Sequence, residues 1–130
     1  MQEQLDSLLE FNNSFDVKYS VKPTLIPIEE YTLRYNLMKE ETDEYLSACA
    51  SGNIVEIADA LADQLYILCG TITAHGMQGI IEDIFAEVHR SNMSKLGEDG
   101  KPILREDGKI LKGDNYFKPN IKQFINKARV

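Results

Sequence analysis

Apolar residues recur at helical spacing along the first three quarters of the chain. Leu5, Leu8 and Leu9 mark a helix over about residues 4–12, and Pro23 and Pro27 punctuate the connector that follows. Pro27 and Gly52 bracket a second helix from Ile28 to about Ala50, with Leu33, Leu37 and Ala48 on one side and Ile28, Tyr31, Tyr35, Met38 and Tyr45 on another. Both sides are expected to be buried. Asn53-Ile54-Val55-Glu56 has the form of a capping box, opening a third helix that reaches about Ala74 and stops at Gly76. A fourth runs from about Gly79 to Lys95, with Ile80, Ile84, Phe85 and Val88 on one face.

After Leu96 the helical period is lost. Glu98-Asp99-Gly100-Lys101 recurs as Glu106-Asp107-Gly108-Lys109, and the second Asp-Gly separates Ile103-Leu104 from Ile110-Leu111. That spacing predicts a small β-hairpin closed by a type I′ turn. Pro119 or Asn120 then begins a last short helix over about 121–128. The expected fold is all-α, a four-helix core with a hairpin-bearing tail. It forms one domain over residues 1–130, divided into an N-terminal helix and connector (1–27), the main helices (28–95) and a basic tail (96–130).

Composition narrows the function more than the fold. With 130 residues, 43% of them hydrophobic, the chain suits a single core. A formal charge of −7 disfavours a protein that wraps duplex nucleic acid, and no apolar run approaches the length of a membrane span. No basic region precedes an apolar stretch at the N-terminus, so no secretory leader is expected and the cytoplasm is the default location. Cys49 and Cys69 lie in helical patterns without metal spacing and read as reduced core residues. The charge is also uneven. Residues 38–64 hold seven acids and one base, whereas residues 87–130 hold ten bases and six acids.

On the second helix Glu40, Glu41 and Glu44 share an arc of about 100° with Leu33, Leu37 and Ala48. On the third, Glu56, Asp59 and Asp63 line up with Ile67 and Gly70. Two rows of like charge beside core residues need a positive partner, and hard divalent cations with oxygen ligands supply one. The plainer alternatives are a solvated face for Glu40 to Glu44 and the capping role for Glu56. A di-iron site is excluded because neither His75 nor His89 has a glutamate three residues before it. His75, next to Gly76, suits a helix C-terminus. Arg90, Asn92, Ser94 and Lys95 end the fourth helix with donors for phosphate or sugar, although they also suit the helix dipole.

Glu40-Glu41-Thr42-Asp43-Glu44, followed by Asp63-Gln64-Leu65-Tyr66, Gly70 and Glu87-Val88-His89-Arg90-Ser91-Asn92-Met93-Ser94-Lys95, resembles the all-α nucleoside triphosphate pyrophosphohydrolases. This MazG-like superfamily also includes dimeric dUTPases and phosphoribosyl-ATP pyrophosphohydrolases, and the resemblance spans roughly residues 28–120. The second motif, Glu-x-x-Asp, fits either as Glu56 to Asp59 or with Asp63 as its aspartate. The downstream landmarks favour Asp63, in a dUTPase-like register that puts Ala60 where the family has glutamate. The resemblance implies hydrolysis of a (deoxy)nucleoside triphosphate between the α- and β-phosphates, with Mg2+ as cofactor and Mn2+ as the alternative. Glu41, Glu44, Asp63 and either Asp59 or Glu56 would then be the metal ligands, with Glu40 orienting or deprotonating water. Asn92, Lys95 and Arg90 would contact the substrate, and Lys109, Lys112 and Tyr116 would close over it; Lys side chains of purely structural use are the alternative for the tail. A homodimer or dimer of dimers is implied as well. The departure at Ala60 keeps open a non-catalytic helical module that binds a nucleotide or partner.

Overall fold

A computed structural model describes residues 1–129, which group into two compact units, Met1–Gly79 and Ile80 onward. The first unit holds α1 (Gln2–Ser14), α2 (Ile28–Ser51) and α3 (Ile54–Ala74). The second holds α4 (Ile81–Met93) and α5 (Lys122–Arg129) with the chain between them. No described helix is long and apolar enough to cross a membrane.

Local signals set the helix ends. Gly52 takes the left-handed conformation (φ 69°) that closes α2, and its N–H bonds the Cys49 carbonyl at 3.1 Å. Asn53 then opens α3 by accepting the Val55 and Glu56 amides at 3.0 and 3.3 Å. Only two residues separate the helices, so α2 and α3 run antiparallel as an αα-hairpin. α1 lies on α3. Leu5 and Leu8 are buried there, and the buried Asn12 amide donates to Thr73 Oγ1 at 3.1 Å. At the far end of α3, Thr24 N–H bonds the His75 carbonyl and His75 Nδ1 bonds the Thr24 carbonyl at 3.0 Å, which ties the connector to the helix terminus.

Three expectations are corrected. The Ile28, Tyr31, Tyr35, Tyr45 side of α2 is not covered by this chain: Tyr35 is 59% exposed and Ala48 is the one buried residue of the helix. α3 packs along one side of α2 and α1 packs on α3, so the second stripe faces outward. Cys69 is buried as expected, but Cys49 is exposed on that open side. The third correction is the hairpin. Only a single antiparallel bridge, Leu104 to Ile110, joins the two apolar pairs, and no strand forms among the described residues. Two-residue runs without a third strand or a covering helix cannot sustain a ladder.

The repeated tetrapeptide nevertheless builds the same turn twice. Gly100 and Gly108 N–H groups bond the carbonyls of Gly97 and Arg105, each at 2.9 Å, and Asp99 and Asp107 Oδ1 accept the following lysine amides at 3.0 and 3.1 Å. The glycines sit at φ 75° and 86°, while Asp16 is the one described non-glycine residue with positive φ. A type I′ turn needs positive φ at both central residues. Asp107 is not in that region, so these are type I-like turns closed by a left-handed glycine. The rest of the tail is strapped to α4: Ser91 Oγ donates to the Phe117 carbonyl at 2.8 Å, and Gly113 N–H to the Lys95 carbonyl at 3.0 Å.

Gly52 and Gly76 share φ 69° but differ in surroundings: a Cβ on Gly52 meets nothing within 4 Å, whereas one on Gly76 would stand 2.0 Å from the Lys22 carbonyl oxygen. Gly52→Ala should therefore cost about 1 kcal/mol, the left-handed penalty alone. Gly76→Ala should cost about 3 kcal/mol or more, since the backbone of the connector must also move. Urea denaturation of the two variants checks the difference.

Candidate active site

The antiparallel register of α2 and α3 determines which acids meet. Among the described residues, Glu41 and Glu44 of α2 and Asp63 of α3 each bring a carboxylate oxygen within 4.8 Å of the others. Glu40 and Asp59 are exposed and lie outside this trio, and the Glu56 carboxylate accepts the Ser51 hydroxyl at 3.1 Å. Of the two acids that could substitute for a motif glutamate at Ala60, neither joins the group. Ala60 itself is buried.

Three carboxylates this close repel one another. Burial above all, then the hydrogen bond and charge of Glu44 and the charges of Asp63 and Glu40, hold the Glu41 carboxyl above the ordinary carboxylate range. Glu41 Oε2 is buried and has no hydrogen-bond partner. An orphaned buried oxygen is costly. All-oxygen donors, negative charge and an unused lone pair together fit a hard divalent cation such as Mg2+ or Mn2+.

A second set of contacts along the same seam has a weaker signal in the sequence. Arg34 of α2 is half-buried, and its Nε donates to Thr71 Oγ1 at 3.1 Å and its Nη2 to the Ile67 carbonyl at 2.9 Å. Charge-assisted bonds of this kind contribute about 1.5–3 kcal/mol each. Desolvation lowers the guanidinium below its ordinary value, and no carboxylate within hydrogen-bond distance compensates it among the described residues. Gly70 makes room: a Cβ there would lie 2.5 Å from Arg34 Nη2. A mid-helix glycine is unfavourable on propensity alone, so its presence was the available clue to a close approach.

The second unit holds the candidate donors. Arg90 is engaged: its Nε and Nη2 donate to both Glu87 oxygens at 3.1 and 2.9 Å, and its guanidinium stacks 4.3 Å from the centre of the Phe117 ring. Asn92 is exposed and Lys95 half-buried near the end of α4. Lys109 is exposed, and the Lys112 ammonium lies 4.7 Å from the centre of the Tyr116 ring.

The two helices of the αα-hairpin bring together an acidic trio with the donor set of a divalent-cation site, in an all-helical fold. Residues 8–92 match the phosphoribosyl-ATP pyrophosphohydrolase family, and the chain belongs to it, within the MazG-like superfamily. It is thus a pyrophosphohydrolase domain for a nucleotide-like substrate. No curated protein matches the chain.

Glu87 gives a pH dependence. The hydrogen bonds from Arg90 and then from the Asn120 amide, 3.0 Å away, hold this buried carboxyl below the ordinary range. A depressed carboxyl contributes stability that is complete above the unfolded-state value and lost as pH falls through the folded one. Denaturation of the wild type should therefore show a loss of stability below about pH 4.5, and Glu87→Gln should be less stable at pH 7 and flatter across that window. Urea titrations at several pH values check both.

Proposed function

We propose that the chain hydrolyses a (deoxy)nucleoside triphosphate between its α- and β-phosphates in the presence of Mg2+, releasing a nucleoside monophosphate and pyrophosphate. Mn2+ should substitute for Mg2+. The observation that carries this reading is the Glu41, Glu44, Asp63 trio, with its orphaned Glu41 oxygen, inside the matched family domain. A bound cation supplies charge neutralisation for the triphosphate and a more acidic water.

The chain's own residues divide the remaining work. Glu41, Glu44 and Asp63 hold the cation, and α2 and α3 keep their carboxylates converged. Glu40, exposed beside Glu41, orients the attacking water and takes its proton on the carboxylate. Asp59, exposed one turn before Asp63, is the reserve carboxylate in place of the missing glutamate; Glu56 keeps its bond to Ser51. Asn92 and Lys95 are donors for phosphate and sugar, with Lys109, Lys112 and Tyr116 as further polar contacts for the nucleotide. Arg90 joins them as a phosphate donor: Glu87 takes only its Nε and one Nη2 bond, Phe117 stacks on its plane, and the side chain is 62% exposed, which leaves N–H groups for the substrate.

The matched family's own name favours a second substrate, phosphoribosyl-ATP, which presents the same triphosphate chain. A homodimer or dimer of dimers would cover the apolar side of α2, where Tyr31, Tyr35 and Leu46 are exposed. A cytoplasmic nucleotide pool is the natural source of substrate.

Pyrophosphate release should be measured over a panel of NTPs, dNTPs and phosphoribosyl-ATP with Mg2+. One or more nucleotides should turn over, and EDTA should abolish turnover. Glu41→Gln and Asp63→Asn should each lower kcat/KM by about 100-fold or more with the helical CD signal intact, while Glu56→Gln should stay within a few-fold of wild type. A nucleotide that raises the Tm without any product would instead establish the non-catalytic module.

A further inference from the structure

Arg34 and Gly70 lie on the seam that carries the acidic trio. From Arg34 to Glu41 is seven residues forward on α2, and from Gly70 to Asp63 is seven residues back on α3. In antiparallel helices, equal steps in opposite senses keep residues opposed. Seven residues make almost two full turns, so Arg34 shares a side of α2 with Glu41, and Gly70 shares a side of α3 with Asp63, each pair about 10 Å apart along its axis. The two rungs differ in character. At one, carboxylates repel across the seam; at the other, a guanidinium is bonded to the opposite helix at the Ile67 carbonyl and the Thr71 hydroxyl.

The bonding pattern is directional. Arg34 bonds to α3 itself and not to a mobile acidic side chain, and Thr71 Oγ1 donates in turn to the same Ile67 carbonyl at 2.9 Å. Ile67 is one turn beyond Asp63, so the carbonyl that Arg34 grips moves with the segment that carries the ligand. Gly70 provides the seat for the guanidinium, because any side chain there would drive Nη2 away. A slide or rotation of α2 against α3 would break both hydrogen bonds while separating Glu41 and Glu44 from Asp63.

We infer that Arg34, seated on Gly70, is a positioning residue: it fixes the register of α2 against α3 and so holds the Glu41, Glu44, Asp63 oxygens together for a cation. This rests on the metal site of the proposed function. Arg34 touches neither the cation nor the reacting atoms in this role.

The test is Mn2+ binding to the full chain without substrate, followed by calorimetry, with the Tm of each metal-free variant measured alongside. Arg34→Met and, independently, Gly70→Ala should each weaken Mn2+ binding about tenfold. Arg34→Lys, which keeps the charge but not the fork, should fall between Arg34→Met and wild type. Leu5→Ala, a destabilising change in the α1 contact, should lower the Tm and leave Mn2+ affinity unchanged; this separates positioning from a general loss of stability. Should Arg34→Met fail to fold, Gly70→Ala and Arg34→Lys carry the test. Wild-type Mn2+ affinity in the folded variants would overturn the inference and leave the proposed function standing. A raised nucleotide KM with unchanged Mn2+ affinity would also overturn it, making Arg34 a substrate ligand. If the wild type bound no Mn2+, both the inference and the metal site would fall.

Discussion

Everything assigned to the active site depends on two antiparallel helices being held in one register. The acids of α2 and α3 are mutually repulsive when ionised, so in the absence of a cation their charges oppose convergence. Their meeting within 4.8 Å is imposed from elsewhere on the hairpin: by the two-residue link capped by Gly52 and Asn53 at one end, and by Arg34 across Gly70 toward the other. The trio is thus a site that the fold holds against its own electrostatics. Such an arrangement is costly as mere decoration and useful as a receptacle for positive charge.

The same hairpin leaves much of its apolar surface uncovered. Tyr31, Tyr35 and Leu46 of α2 and Ile54, Val55, Leu61 and Leu68 of α3 are all exposed, in a chain whose buried apolar core includes Leu5, Leu8, Ala60 and Cys69. These exposed side chains lie on the two helices that carry the acids, and exposed apolar patches on such helices are candidates for interaction. The polar logic of the second unit is different. There a buried glutamate, an arginine and an aromatic ring join α4 to the tail, so Arg90, whose charge suggests a substrate contact, has a structural partner on either side.

Much of this was legible in the chain. The limits of α2 and α3 fall within about a residue of where Pro27, Gly52, Asn53 and Gly76 place them, because capping is a local matter of φ and of a few unsatisfied amides. The failures share a cause as well. An Asp-Gly between two apolar pairs predicts a hairpin, but two such short runs need further strands to persist. The doubly apolar character of α2 predicts burial on both sides, whereas within this chain the Tyr31 and Tyr35 side stays exposed.

What the sequence determined by itself is the set of helices, their caps, the two acidic rows and, through residues 8–92, membership of the pyrophosphohydrolase family. Only the tertiary structure selected three acids from the candidates on those rows, placed Glu56 on Ser51, and joined Arg34 to the Ile67 carbonyl. Periodicity along one helix states which residues share a face. Which residue of the neighbouring helix stands opposite depends on the register of packing, and that is fixed by contacts such as Arg34 on Gly70 that no local pattern encodes.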